Sequence, residues 1–258
     1  MILIDPRAII DPSAQIGSNV SIGPFTVVGA EVEIGSGSVI GPHVVLKGPT
    51  KIGKNNRIFQ FASVGEDCQD KKYNGEPTQL IMGDDNVVRE GVTIHRGTVQ
   101  DKGITRIGSD NLFMANVHVA HDCVIGDHTT IANNTALAGH VHVGDWATLG
   151  GFTAVHQFCS IGAHAMCGVG SVIVKDIPAY VTISGNPCKP FGINAEGLRR
   201  RGFSTEAIKM LKRAYKVVFR QGITTNEALS LLTEMKETTP EVSLLIESIQ
   251  QSQRGILR

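Results

Sequence analysis

The chain has 258 residues, 41% of them apolar and only 5% aromatic, with 29 glycines and a single tryptophan, Trp146. That length suits one large core or a main domain with a small appendage, and the composition favours tight turns and small aliphatic plugs over a helix bundle. Basic and acidic residues balance at 24 each, so no global field points to nucleic acid or to a membrane surface.

The opening Met1-Ile2-Leu3-Ile4-Asp5-Pro6 has no basic region and is broken at once by Asp and Pro, so it does not read as a signal peptide. No apolar run approaches the length of a membrane span. Cysteines stand at 68, 123, 159, 167 and 188, an odd count without C-x-x-C spacing. Reduced thiols in a cytoplasm are expected rather than a disulfide framework.

Stepping by six from Ile4 gives Ile10, Ile16, Ile22, Val28, Ile34, Ile40, Leu46, Ile52, Ile58 and Val64, every one aliphatic. At 41% apolar residues, a run of eleven arises by chance about once in ten thousand trials. After a polar stretch at 66–79 the phase returns at Met82, Val88 and Ile94. It is lost over 97–106, and a shifted phase then runs from Ile107 through Phe113, Val119, Ile125 and onward to Ile173. A period of six fits neither a helix nor plain alternation. It fits short strands joined by turns, each strand sending one aliphatic residue to a shared axis. Three strands make a triangular coil of eighteen residues, and successive coils pair as a parallel sheet about 4.8 Å apart. An ordinary sandwich of short strands would space its turns less regularly. The pattern resembles the hexapeptide acyltransferase superfamily, which implies an all-β, left-handed parallel β-helix; general chirality rules favour the opposite hand. The two breaks, at 66–79 and 97–106, read as loop insertions of the kind that carry function.

From Pro187 the six-residue period is gone. The expected division is a β-helix domain over 1–190 and a small helical domain over 191–258. Ser204 caps a helix with the stripe Ile208, Leu211, Tyr215, Val218 and Phe219, ending at Gly222. Thr224 and Glu227 form a capping box ahead of a second helix, and Pro240 falls in the first turn of a third, which carries Val242, Leu245, Ile246 and Ile249. The first of these helices is basic: Lys209, Lys212, Arg213, Lys216 and Arg220 follow Arg199, Arg200 and Arg201, against Glu206 alone. In a net-neutral protein such one-sign clustering points to an anionic partner.

An eighteen-residue coil places Gly139 one coil after His121, and His140 one coil after Asp122. A Cβ-free neighbour is expected to leave space beside the His121 imidazole. Across 97–106 the phase shifts by seven, so His95 projects to about position 120. His95, His121, Asp122 and His140 therefore converge on one stripe. A histidine there suits general-base removal of a hydroxyl proton, and the Gly139 N–H suits an oxyanion. With no Gly-x-Ser-x-Gly elbow and no evident Cys–His pair, direct attack in a ternary complex is expected rather than a covalent acyl-enzyme. A zinc site built from His95, His118 and His121 at a subunit interface, as in γ-class carbonic anhydrases, is the alternative.

The motifs are more specific than the repeat. They run from Gly65-Glu66 to Gln69-Asp70-Lys71-Lys72-Tyr73, then Thr93-Ile94-His95-Arg96-Gly97-Thr98-Val99 and His118-Val119-Ala120-His121-Asp122. They continue in Leu137-Ala138-Gly139-His140, Val155-His156-Gln157-Phe158, and Asn194 through Phe203. Over its whole length the chain resembles the bacterial UDP-N-acetylglucosamine 3-O-acyltransferases, which carry out the first step of lipid A biosynthesis. The resemblance implies a cytoplasmic homotrimer with active sites between subunits. It implies transfer of a 3-hydroxyacyl group from acyl carrier protein to the glucosamine 3-hydroxyl of UDP-N-acetylglucosamine. No cofactor or metal would be needed beyond the carrier's phosphopantetheine arm. His121 would be the general base, Asp122 its orienting partner and Gly139 the oxyanion donor. Consecutive strand residues face opposite ways, so the Asp122 role requires a local turn. Gln69, Asp70, Lys72, His95, His140, His156 and Gln157 would line the substrate cleft. Asn194, Glu196, Arg200 and Arg201 would face the UDP moiety, and Lys212, Arg213, Lys216 and Arg220 would dock the acidic carrier protein. The related N-acyltransferases of the same pathway carry an extra N-terminal domain, whereas repeats here begin by Ile4. Val169 matches the family's acyl-length ruler. It lies about 2.7 coils after His121, roughly 13 Å for a chain running parallel to the axis. At roughly 1.25 Å per carbon, an acyl group of about ten to twelve carbons is expected.

Overall fold

The structure, a computed structural model, describes residues 3–258, so Met1 and Ile2 of the opening segment lie outside the described residues. The repeat becomes a left-handed parallel β-helix of three sheets, with eleven, nine and eight strands among the described residues. We call these sheets A, B and C. Most strands are only two residues long, such as His118–Val119 in sheet B and Val124–Ile125 in sheet C. From Ser21–Ile22 onward the second residue of each two-residue strand points inward and is buried, whereas Ile4, Ile10 and Ile16 of the first coil are exposed or half-buried.

Register follows the period. Ile4 pairs with Ile22 and Ile125 with Val143, eighteen residues on. The insertions lengthen two coils but the plugs stay stacked: Val64 meets Ile94, and Ile94 meets Val119, with a bulge only at Gly65, where Glu66 meets His95. His95 therefore does project to position 120. A single core of stacked apolar side chains, Ile94, Ile131 and Leu137 among the aliphatics together with the ring of Phe113, runs along the axis. Burying one such side chain contributes about 1.5–3 kcal/mol.

Between strands the chain turns through a left-handed residue, at Asn116, Asp122, His128, Asn134, His140 and Trp146 in the central coils. Asn, Asp and His tolerate that backbone better than branched residues do. These turns define three edges of a triangular prism. Asp122, His140 and Phe158 occupy the edge between sheets B and C; His128, Trp146 and His164 the edge between C and A; Asn116, Asn134 and Phe152 the edge between A and B.

Past the last coil, Val181–Gly185 pairs antiparallel with Cys188–Ile193, a reversal that the period does not foretell. Four helices follow rather than the expected three: α1 (Ala195–Arg200), α2 (Thr205–Arg220), α3 (Thr225–Lys236) and α4 (Val242–Gln250). The additional α1 is short and capped by Asn194, whose side chain accepts from Gly197 N. Ser204 caps α2, and Thr224 with Glu227 forms the capping box of α3. Pro240 precedes α4, its carbonyl accepting from Ser243 N. Tyr215 and Phe219 of α2 pack against the core of the β-helix.

After α4 the chain returns to the coils. Asp176 accepts from Ser160 N, Ser252 Oγ and Arg254 N, and Ile256 pairs with its backbone.

Candidate active site

The edge between sheets B and C carries the candidate chemistry. At Asp122 the left-handed turn (φ 58°) brings its carboxylate back to the preceding side chain, with His121 Nδ1 2.9 Å from Asp122 Oδ2. That contact assigns the proton to Nδ1 and leaves Nε2 as the acceptor. Asp122 is buried, and burial alone would raise its carboxyl. Hydrogen bonds from His121 and from Thr98 outweigh this and hold it below the usual carboxylate range.

Thr98 donates twice, from N to Oδ1 at 2.9 Å and from Oγ1 to Oδ2 at 2.6 Å, while Asp122 N donates to Thr105 Oγ1 at 2.8 Å. The second insertion thus folds over the site and fixes the carboxylate. From the same loop Asp101 reaches His140 Nδ1 at 3.2 Å, and the His140 ring stacks on Phe158 with centroids 4.4 Å apart.

Gly139 lies beneath His121. A Cβ built there would sit 2.5 Å from His121 Cε1 and 2.6 Å from Nε2. The space expected beside the imidazole is therefore filled by the imidazole itself, and only glycine permits that contact. Among the described residues the Gly139 N–H has no backbone acceptor.

Two clefts meet at His121. The larger, about 1030 Å³, is lined on one side by Asp70, Lys72, Asp101, His140 and Gln157, and on the other by Gln250 to Gln253 of the returning C-terminal segment. The smaller, about 260 Å³, brings Gln69, Asp70, His95 and His118 to Gly139. Gln69 Nε2 lies 3.4 Å from His95 Nε2. His118 contacts Thr93 Oγ1 at 2.7 Å, and burial, with the charges of His95 and His121, lowers its pKa. His156 is exposed just outside these clefts, its Nδ1 3.1 Å from Gln157 O.

His95, His118 and His121 do not group as a ligand set among the described residues of one chain; the Nδ1 atoms of the first two meet Asp67 O and Thr93 Oγ1. Potential ligand atoms of His121, Asp122 and His140 do come within 4.8 Å of one another, but the Asp122 carboxylate in that group is already held by Thr98. All five cysteines are free and buried, and burial pushes the Cys123 thiol up to about 12. None is a ready nucleophile at neutral pH.

The remaining expected contacts lie elsewhere. Asn194 is buried, its Nδ2 donating to His164 O at 3.1 Å. Arg201 stacks over Trp146 at 5.2 Å and donates to His164 Nδ1 at 3.2 Å. Burial, and then the Arg201 charge, lowers His164 to about 4, so it accepts as neutral imidazole. Glu196 pairs with Arg199 and with Arg200. Asn194 and Arg201 thus reach the edge between sheets C and A, Glu196 and Arg200 lie beside them on α1, and none of the four lines the clefts at His121. Val169 sits at the edge between A and B and is 72% exposed. An acyl chain parallel to the axis would miss it, because the fraction of a coil left over after two full turns carries position 169 around the prism to a different edge.

Thr98 stands in the Thr93–Val99 motif without a role read for it, and for Asp101 and Thr105 the only signal in the sequence is that their stretch breaks the repeat.

Residues 176–257 match the family described as Udp N-acetylglucosamine O-acyltransferase, Domain 2, and residues 13–48 and 104–139 match the bacterial transferase hexapeptide repeat. The acyl-[acyl-carrier-protein]–UDP-N-acetylglucosamine O-acyltransferase of Pseudomonas aeruginosa is 65% identical, and that of Stutzerimonas stutzeri 62%, each alignment covering 100% of both chains. Among solved structures, LpxA from Acinetobacter baumannii superposes with a TM-score of 0.98 at 53% identity, covering 99% of this chain and 100% of that one. UDP-N-acetylglucosamine O-acyltransferase from Moraxella catarrhalis gives the same TM-score and identity, with 99% of each chain covered. With full-length identity at this level and a B–C edge that presents an oriented imidazole, the chain belongs to the acyl-[acyl-carrier-protein]–UDP-N-acetylglucosamine O-acyltransferase family.

Proposed function

We propose that this acyltransferase moves a 3-hydroxyacyl group from acyl carrier protein to the glucosamine 3-hydroxyl of UDP-N-acetylglucosamine, the first step of lipid A biosynthesis. The observation that carries the mechanism is the His121–Asp122 contact directly over Gly139. Nε2 of His121 removes the hydroxyl proton as the oxygen attacks the thioester carbonyl. Asp122 stabilises the imidazolium that forms, and the Gly139 N–H meets the oxyanion. Collapse of the tetrahedral intermediate expels the phosphopantetheine thiolate, which recovers the proton from His121. Gln69, Asp70, Lys72, His95, His140, His156 and Gln157 hold the sugar. The acyl group arrives on its carrier, so the reading needs no metal or further cofactor. The zinc-trimer alternative has no support in the family.

The working unit we infer is a homotrimer. Outward positions of sheet A include Leu3, Val39 and Met166, and those of sheet B Ile9, Val45 and Val172. Sheet C instead presents Gln15, Glu33, Lys51, Arg106, His142 and Ser160. Sheet A also turns Ser21, Arg57, Thr130 and Thr148 outward, and sheet C Ile81 and Val124, so the contrast is one of degree. The less charged faces A and B suit a closed ring in which A of one copy meets B of the next and C faces water. In that ring the A–B edges line the three-fold axis, and each B–C edge abuts a neighbour's C–A edge. Asn194, Glu196, Arg200 and Arg201 of the neighbour then reach the nucleotide beside His121. An acyl chain leaving this seam runs inward between faces A and B, towards Val169.

Lys212, Arg213, Lys216 and Arg220 are all exposed on α2, which suits residues 191–258 to docking an acidic carrier protein. No helix among the described residues is long and apolar enough to cross a membrane, and a cytoplasmic site of action fits the reduced cysteines. Incubating the protein with UDP-N-acetylglucosamine and 3-hydroxyacyl carrier protein, and weighing the product, tests the reading. No nucleotide-sugar ester would sink it.

A further inference from the structure

Arg96 is almost fully buried, yet its guanidinium is shared among three parts of the chain. Nη1 donates to Gly48 O and to Gly65 O, each at 2.8 Å, the second in the strand from which the first insertion departs and the first in the coil stacked before it. Nη2 turns the other way, to the carboxylate of Asp67 and to Tyr73 Oη at 3.1 Å, both within the insertion. Tyr73 passes the contact on, donating to Glu76 O at 3.0 Å. The Arg96 N–H donates to Glu66 O at 3.0 Å, and the neighbouring His95 Nδ1 meets Asp67 O. Other hydrogen bonds of Asp67 to Glu76 stay within the loop, apart from the Gln69–His95 contact. This loop, held to the coils through Arg96 and the adjacent His95, carries Gln69, Asp70 and Lys72 to the cleft edge.

We propose that Arg96 is the positioning residue of the substrate loop, a fork that fixes Gln69, Asp70 and Lys72 against the sugar nucleotide without touching it. The proposal rests on the acyltransferase reading for what the loop binds. A guanidinium suits the role because its donors point rigidly in two directions, whereas a lysine ammonium offers one point charge on a flexible stem. Both arms matter: one grips backbone carbonyls that cannot move, the other grips loop side chains that otherwise would.

The test approaches the fork from both sides, with Arg96→Lys in the coil and Asp67→Ala and Tyr73→Phe in the loop. The loop variants change partly exposed side chains and keep the core intact even if Arg96→Lys folds poorly. Trypsin cleavage after Lys71 and Lys72, followed by mass spectrometry, reads loop opening without reference to catalysis. Asp67→Ala should be cut about tenfold faster than the parent, the change expected on losing one charge-assisted hydrogen bond, and Tyr73→Phe somewhat less. KM for UDP-N-acetylglucosamine should rise by about the same factor, while kcat at saturation and KM for the acyl carrier protein move less than about threefold. Unchanged cleavage in these variants overturns the fork. Faster cleavage with an unmoved KM overturns the positioning role, and leaves the acyltransferase reading standing. An unmodified enzyme that acylates no sugar nucleotide sinks that reading instead, while the cleavage rates still decide the fork.

Discussion

His121 and Asp122 are consecutive in the chain, yet their side chains meet at 2.9 Å. In an extended strand they would face opposite ways, and the left-handed backbone at Asp122 is what folds them together. The candidate dyad is therefore made by a turn of the solenoid, and its second half is fixed by Thr98 from an insertion.

Replacing His121 by Ala should lower kcat by about 10²–10⁴-fold, the usual cost of a general base. The side chain faces a cleft and not the aliphatic core, so oligomeric state and melting temperature should hold. Activity within a few fold of the parent removes His121 from the mechanism.

Gly139→Ala asks a different question of the same site. The added methyl would sit within 2.6 Å of Nε2, so the ring must leave its position. Turnover should fall on the order of a hundredfold with folding intact, as for misplacement of a reacting group. A near-normal rate would show that the imidazole works from some other position.

The pH dependence follows from Asp122. Its carboxyl is held below the ordinary range, so the stabilisation is fully present above about pH 3.9 and is lost as pH falls through the lowered folded-state value. Thr98→Val removes one of the two side-chain donors to Oδ2 and lets the carboxyl rise. The midpoint of acid unfolding should move to higher pH, and kcat at neutral pH should fall about threefold to tenfold, as for one hydrogen bond. An unmoved midpoint would mean that Thr98 only fills space.

Reversing the charge at Arg213 and Lys216 should raise KM for the acyl carrier protein and flatten its salt dependence. KM for UDP-N-acetylglucosamine should stay within about twofold, since exposed charges on α2 act by screened attraction. An identical salt profile would make this a solvated face.

Val169→Gly should shift preference toward longer 3-hydroxyacyl chains from about ten to twelve carbons, because relieving a crowded groove recovers about 1–3 kcal/mol. Competing carrier proteins of different acyl length in one assay reads the ranking directly. The same order in both proteins would show that Val169 does not measure the chain.

The coils were legible because their signal is local and repeated: each aliphatic plug announces its strand, and the pairing of Ile4 with Ile22 follows from the phase alone. The projection of His95 onto position 120, and the caps at Ser204 and Thr224, were readable for the same reason. Contacts made by the insertions were not. Nothing in the spacing says that Asp101 returns to His140 or Arg96 to Gly48, because a loop outside the repeat has no register to count. Distance along the axis does not say which edge a residue occupies, so the coil count from His121 leaves the place of position 169 around the prism unread. Helix α1 was missed because six residues give no periodic stripe, only the Asn194 cap.

Placing His121 and Arg201 on different edges of the prism has a genetic consequence. If each seam takes its imidazole from one copy and its arginine from the next, two inactive proteins can repair one another. A His121→Ala chain still offers an intact Arg201 edge, and an Arg201→Ala chain still offers an intact His121 edge. Co-expressed, they assemble mixed rings in which the two sound edges face each other. Neither allele would support the enzyme alone, yet together they would complement.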